Sequence, residues 1–476
     1  MSHLPLSVSL QTYNRGHNGY FRAALDAILA QTYADFELLV IDNHSTDETP
    51  DIVLSYKDPR LTYIRLPPGG TPADSIRRAF GSSRGQYLLT THDDDVMDPT
   101  MIARQMDCVR AHPELACLAT NVRLINEQGA IIQERLYEIK ADRFFAAGKY
   151  IQTYFEEKFW LPTPSLLFKR DHHSKTIRSF VRETKAQYSP SGDIAGLFRL
   201  NTRASVGILA EPLLSYRQHS MQESRTVDQS GPLVALAKYA ETLLAANRTN
   251  PDLKSLMPAI RAFSVRYQAQ DSLFKLAGKS LERRLSALKN RWEKRVSAED
   301  RGLDAILPFE VLLGEFNLGL SVPAATLKQL EQLPAKGRSQ LAYRQWAQLI
   351  HHGASIFSGH PQLRRVAILG SMFTAFLLVL SARKAGIEVI CCFDSSPARI
   401  GHEVFSVPIV PLEKIRNYHS RIDAVILSSE RDHDEGLRNI IQKHSAAEQF
   451  MVHSWKDLAM TATTSDNINN VFRKAN

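Results

Sequence analysis

The chain has 476 residues, with 58 Lys plus Arg against 50 Asp plus Glu, for a formal net charge of +8. That length is enough for three cores of ordinary size, and 44% apolar residues rule out an intrinsically disordered chain. Four cysteines, Cys108, Cys117 and the adjacent Cys391-Cys392, show neither metal spacing nor a disulfide framework, and no zinc pattern, helix-turn-helix or aromatic-basic signature marks nucleic acid as a partner.

From the N-terminus, Leu6-Ser7-Val8-Ser9-Leu10 alternates as a strand and runs into Gln11-Thr12-Tyr13-Asn14-Arg15. An amphipathic helix follows over residues 20–31, with Phe21, Ala24, Leu25 and Ile28 on one face. A second strand, Phe36 to Asn43, ends on the acid Asp42, and Ser45-Thr46-Asp47-Glu48-Thr49-Pro50 supplies a cap for the next helix. Leu61 to Leu66 reads as a third strand. Then Leu88-Leu89-Thr90-Thr91 delivers His92 and the carboxylates Asp93, Asp94 and Asp95 to a strand end. Adjacent carboxylates repel and are costly to desolvate unless a cation neutralises them. Such a cluster suits a hard divalent ion that grips phosphate, whereas a solvated acidic turn is the plainer alternative. Strands alternating with helices imply a doubly wound sheet whose ligands lie at the carboxyl ends of its strands.

Further along, Ser191-Gly192-Asp193 precedes the apolar helical run Ile194 to Leu200, and Leu214 to Ser224 carries Tyr216, Arg217 and His219. Phe159-Trp160-Leu161-Pro162 could wall an acceptor pocket, though a core tryptophan is the commoner outcome. His172-His173 sits among Lys and Arg and reads as surface. Residues 231–360 have helical spacing, and within them Leu281, Leu285, Leu288, Trp292 and Val296 share one face amid Lys279, Arg283, Arg284, Lys289, Arg291, Lys294 and Arg295. A basic amphipathic helix of this kind can lie on an anionic membrane surface, while packing on neighbours with a solvated basic face is the plainer reading. From 361 a second α/β unit begins with Arg365 to Gly370, a helix to Lys384 and the strand Ile387 to Asp394. It resembles Rossmann-like modules, but only Gly370 of the glycine fingerprint survives, and Met372 and Phe373 would crowd a pyrophosphate. Residues 366–382 carry no charge, a marginal membrane length, yet Gly370, Ser371 and Thr374 interrupt them. No charged, apolar leader opens the chain. A reducing cytoplasm, including the inner face of the membrane, is the expected compartment.

The order Thr12-Tyr13-Asn14-Arg15, Gln31-Thr32-Tyr33, Val40 to Asp47, Arg84-Gly85-Gln86-Tyr87 and Asp93-Asp94-Asp95 resembles an inverting family 2 glycosyltransferase of the GT-A fold, over roughly residues 5–230. The resemblance implies a nucleotide-diphosphate sugar donor, a glycan, lipid-linked or protein hydroxyl acceptor, and Mn2+ or Mg2+. It implies donor contacts from Thr12, Tyr13, Asn14, Arg15, Asp42, Asp93, Asp94 and Arg217, with Asp42 on the base. Asp95 and His219 would ligate the metal, with Asp94 the other candidate since the Asp-x-Asp register stays open. Asp193 would be the general base, a role compatible with capping its helix. Where the family commonly has Asn, this chain has Ser75-Ile76-Arg77-Arg78, so Arg77 or Arg78 could meet diphosphate or simply be solvated. The expected organisation is a GT-A domain over 1–230, a helical region over 231–360, a Rossmann-like α/β domain over 361–460 and a tail over 461–476. The expected role is bacterial surface polysaccharide, lipopolysaccharide or glycoprotein synthesis. A sugar-nucleotide nucleotidyltransferase would need a glycine-rich, Arg-Lys loop after the first strand, which is absent. A non-catalytic adaptor of a glycan-assembly complex would not need Asp93–Asp95, Asp193 and His219.

Overall fold

The computed structural model describes residues 4–157, 159–170, 192–219, 222, 230–246, 255–295, 304–335, 337–445 and 450–462. It divides into two compact units, 1–222 with 238–256, and 223–237 with 257–476. His172, His173, Ser191, Ser224, Val296 and the tail after 462 lie outside the described residues.

The first unit is built on a mixed sheet. Its strands are β1 (Leu6–Thr12), β2 (Phe36–Asp42), β3 (Leu61–Arg65), β4 (Tyr87–Thr91), β5 (Val96–Met97), β6 (Leu115–Ile125), β7 (Ile131–Gln133), β8 (Arg143–Phe145), β9 (Leu166–Lys169) and β10 (Ser205–Arg217). The order β3-β2-β1-β4 is parallel, because each crossover is a helix. β9 then enters antiparallel between β4 and β6, and β6 pairs in parallel with β10. The α/β, doubly wound mixed sheet expected from the sequence is therefore present. None of β5 to β10 is among the strands read from the sequence, and in β9 three apolar residues and a lysine carry too little pattern to separate strand from helix.

β2 is buried along its whole length, as a strand covered on both faces must be. The helix Tyr20–Leu29 turns Phe21, Ala24, Leu25 and Ile28 inward, the face expected from their spacing. Register brings Thr12 beside Asp42, and Leu10 beside Thr91, so the ends of β1, β2 and β4 open on one edge. The Arg84-Gly85 motif is a latch beneath this edge. Arg84 donates its backbone N–H and Nε–H to Glu37 at 2.7 Å each, and Ser7 Oγ donates to the same carboxylate. A side chain at Gly85 would bring its Cβ to 2.4 Å from Ser7 N.

In the second unit the helices Met257–Lys275, Gly278–Arg295, Leu307–Glu315 and Arg338–His351 share one hydrophobic core with a six-stranded sheet. That sheet has the order β13-β14-β12-β11-β15-β16, with β11 (Arg365–Leu369), β12 (Glu388–Asp394), β13 (Glu403–Val404), β14 (Val407–Pro411), β15 (Ala424–Leu427) and β16 (Val452–Ser454). Phe309, Leu312 and Trp346 from the helices pack in the same cluster as Ile368, Phe376 and Trp455. A boundary at residue 360 thus has no counterpart in the packing of this unit. Leu281, Leu285, Leu288 and Trp292 are also spent in that core, so the basic helix has no apolar face left for a membrane. Among the described residues no helix is long and apolar enough to cross one.

The turn after β11 keeps Gly370 at φ 104°, because a Cβ there would meet Ser428 Oγ at 2.4 Å. The ends of β11 and β15 are covered by the helix Met257–Lys275. Arg266 pairs with Glu430 and lies 5.2 Å over the Phe373 ring, while Phe274 meets Phe376 edge-on at 4.9 Å. Ser371 Oγ and Ser396 N–H both donate to Asp394.

Candidate active site

The turn after β1 is latched to the turn after β2. Asn14 adopts a left-handed φ of 50°, which Asn tolerates because its short amide bonds locally. Its N–H donates to Ser45 Oγ at 2.9 Å, and Thr46 N–H donates back to Asn14 Oδ1 at 2.8 Å. Arg15 N–H donates to Thr49 Oγ1 and Gly16 N–H to Asp47. Asp42 lies beneath them with no exposed surface. It accepts from Ser45 N–H at 2.8 Å, from Ser45 Oγ at 2.5 Å and from Tyr63 Oη at 2.6 Å. A carboxylate so enclosed braces the turn, and its oxygens are committed to the protein rather than to a base. Tyr13 is exposed and Thr12 buried, while Arg15 stays partly open.

Asp93, Asp94 and Asp95 are buried. Arg15 Nε lies 3.3 Å from Asp93 and its terminal nitrogen 4.0 Å from Asp94. Burial and the neighbouring charge of Asp94 push Asp93 up to about 6 despite Arg15, and the same two causes drive Asp95 well above the carboxylate range. Burial would also raise Asp94, but the hydrogen bond from His219 and the charges of His92 and Arg15 outweigh it and hold Asp94 below its ordinary value.

The end of β10 returns onto this cluster. Arg217 N–H donates to Asp95 Oδ1 at 2.8 Å, and Arg217 Nε–H to the Asp94 carbonyl at 2.9 Å. Its Nη1 serves the carbonyls of Asn126 and Glu127, and the guanidinium lies 4.3 Å over the Tyr20 ring. Arg217, expected to bind donor, is buried and braces Asp94 and Asp95. His219 Nε2 sits 2.9 Å from Asp94 Oδ2, and its Nδ1 is buried without a hydrogen-bond partner.

Among the described residues, the set that could hold a cation is His92, Asp94 and Asp95, whose ligand atoms all lie within 4.8 Å of one another. Asp95 Oδ2 is buried with no hydrogen-bond partner and faces His92 Nδ1 at 3.9 Å. An orphaned carboxylate oxygen beside an imidazole fits a divalent ion of the manganese type. The sequence places His92 at the strand end beside the carboxylates without giving it a role. The signal that could have promoted it is its own chemistry, an imidazole three residues before Asp95.

Asp193 stands in the first turn of the helix Gly192–Asn201 and accepts from Ile194 N–H at 2.7 Å and from the Thr163 hydroxyl. Desolvation raises its pKa even against these bonds and the charge of His92, so it belongs to the same electrostatic neighbourhood as the triplet. Thr163 is held by its turn, where Ser165 Oγ donates to Pro162 O and accepts from Thr120 N–H. By contrast, Arg77 is bound to Asp74 on an exposed helix face, the solvated alternative.

Residues 7–172 match the profile of glycosyl transferase family 2. Residues 7–172, within the first unit, are the family 2 glycosyltransferase segment of this chain. An uncharacterized glycosyltransferase of Methanocaldococcus jannaschii is 26% identical over 44% of this chain and 70% of its own length. Chondroitin synthase of Pasteurella multocida is 28% identical over 27% of this chain, and the match spans only 14% of that enzyme. Among solved structures, S. aureus TarS 1–349 in complex with UDP-GlcNAc aligns with 74% of this chain and 93% of its own, at TM-score 0.49 and 14% identity. The matched segment, residues 7–172, contains every residue of the cluster just described except Asp193, Arg217 and His219, which the rest of the first unit brings to it.

Proposed function

We propose that this enzyme transfers a sugar from a nucleotide-diphosphate donor to a hydroxyl acceptor with inversion, using a divalent cation. The observation that carries this reading is the buried Asp95 Oδ2, left without a hydrogen-bond partner among three crowded carboxylates and opposite His92. His92, Asp94 and Asp95 would hold the ion, with His219 orienting Asp94. When bound, it supplies charge stabilisation for the departing diphosphate. Arg15 adds a guanidinium at the same edge, and the Thr12–Gly16 turn, braced through Asp42, seats the nucleoside. Asp193 takes the acceptor O–H proton as that oxygen bonds the anomeric carbon. The bond from this carbon to the phosphate oxygen breaks, and the diphosphate leaves with the electron pair. Burial raises the pKa of this carboxylate, which makes it a stronger proton acceptor for that task.

We assign the chemistry to the first unit and a binding or assembly role to the second. A place in surface polysaccharide, lipopolysaccharide or glycoprotein synthesis is supported by the likeness to a chondroitin synthase. The test is a panel of UDP- and GDP-sugars incubated with Mn2+ or with EDTA, the product anomer being read by NMR. Metal-dependent turnover with inverted configuration is expected. Equal turnover in EDTA, or a retained anomer, would overturn the reading.

A further inference from the structure

In the second unit, the helix Gly278–Arg295 carries more positive charge than its place in a core requires. Its Leu281, Leu285, Leu288 and Trp292 are buried, so this stripe anchors the helix and cannot enter lipid. At about 100° per residue, the side opposite the stripe presents Lys279, Arg283, Asn290 and Lys294, all of them exposed. The three cations fall within about 60° of one another, and Arg284 and Arg291 extend the same side toward one flank. Both acids of the helix, Glu282 and Glu293, lie toward the other flank with Lys289, whose Nζ serves the carbonyls of Leu318 and Gly319. Among the described residues, Lys279, Arg284 and Lys294 engage no acid. Lys279 and Arg283 stand at i, i+4, where like charges repel and weaken a helix. A local cost of this kind gains nothing inside the protein and is relieved by an outside anion.

The tip that leads into the helix, Lys275 to Ser280, is exposed at every residue. Leu276 stands 38% exposed there, between Lys275 and Lys279. At about 1.5 Å per residue, the line from Lys279 to Lys294 is roughly 22 Å long. Protein interfaces are centred on buried aromatic or apolar anchors, which the outer side of this helix lacks. A straight line of long, flexible cations meets a flat anionic surface without needing any match of shape. The leucine beside them gains from contact with acyl chains and has no such partner on a bare phosphate backbone.

We propose that the outer face of the helix Gly278–Arg295, led by the Leu276 tip, docks the second unit on an anionic lipid surface. The contact is electrostatic, made at the level of the lipid phosphates, and no helix is inserted. This goes beyond the transferase reading and holds whichever donor the first unit uses.

The test is co-flotation of the full chain with phosphatidylcholine vesicles and with vesicles holding about one third phosphatidylglycerol, at about 0.1 M and about 0.5 M NaCl. Binding to the anionic vesicles alone, released at the higher salt, is expected. The triple variant Lys279→Glu, Arg283→Glu, Lys294→Glu should lower the partition coefficient at least about 100-fold, each cation near such a surface being worth roughly fivefold. A control triple, Lys328→Glu, Lys414→Glu, Lys443→Glu, reverses exposed lysines elsewhere on the second unit. It has the same net charge and should lose less than about tenfold, with both variants keeping the wild-type Tm. No binding to anionic vesicles, equal binding to neutral ones, or an equal loss in the two triples overturns the proposal. So does tighter binding of duplex DNA or poly-aspartate than of the vesicles, lost with the first triple, since that assigns the face to another polyanion.

Discussion

His219 Nε2 and Asp94 Oδ2, 125 residues apart in sequence, lie 2.9 Å apart in the fold. For an ionised carboxylate to accept there, Nε2 must carry the hydrogen, which removes that nitrogen from the metal's reach. His92 then becomes the imidazole of the cation cluster, and His219 the residue that aims Asp94. His92→Ala should weaken Mn2+ binding more than His219→Ala, whose loss should fall within the roughly 10–100-fold that outer partners cost. Titration of free Mn2+ by electron spin resonance gives both values. The reverse order would return His219 to the coordination shell.

Without metal the triplet should cost stability as pH rises. Asp93 sits at about 6 and Asp95 is raised well above its ordinary range, so both lie above the unfolded value of about 3.9. Their protonated forms stabilise the fold fully below the unfolded pKa, and that contribution is lost as pH climbs through 6 and beyond. Mn2+ should reverse the loss by binding the ionised forms. Asp95→Asn keeps the acceptor for Arg217 N–H while removing one buried charge. In EDTA at pH 7.5 it should melt above the wild type, and added Mn2+ should no longer raise its Tm. A variant that melts lower in EDTA, yet still gains from Mn2+, would contradict this account.

Much of this was legible in the chain because strand ends and their acids are local signals. Asp42 and Asp93–Asp95 could be placed at one edge from alternation alone, whereas Asp193 was joined to them only through the family resemblance. What could not be read was how each side chain divides its bonds. Arg217 and Asp42 have the right chemistry for a nucleotide, but their partners, Asn126 and Glu127 for one and Ser45 and Tyr63 for the other, exist only after folding. The Arg84-Gly85 motif, one of the pieces that carry the resemblance, is architectural, since its contacts with Ser7 and Glu37 span distant strands. Helical spacing gave the face of Gly278–Arg295 correctly, but periodicity is silent on whether core or membrane covers such a face.

The base should be tunable through Thr163. Asp193→Asn is expected to leave donor affinity nearly intact and to lower kcat by about 10²–10⁴-fold, the usual worth of a general base. Thr163→Val removes a hydrogen bond that favours the charged form of Asp193, so its pKa should rise further. The acid limb of the kcat profile would then shift to higher pH, with kcat at neutral pH lower and restored by Thr163→Ser. A pH-rate series on the three variants checks it. An unmoved limb in Thr163→Val would separate Thr163 from the base.

In the second unit Lys456 has no exposed surface and donates to Arg431 O at 2.6 Å, Asp434 Oδ1 at 2.8 Å and Asp432 Oδ1 at 3.3 Å. Asp434 is itself buried, and its other oxygen reaches only Arg338, at 3.5 Å. Lys456→Met fills the volume but strands that carboxylate, so the cost should be about 3 kcal/mol, the low end for breaking a buried pair. Replacing both partners, Lys456→Met with Asp434→Leu, removes the stranded charge and should recover much of the loss. Urea unfolding of the single and double variants measures the coupling. If the double variant is as unstable as the sum of two singles, the pair acts through packing alone and the charge account of this corner fails.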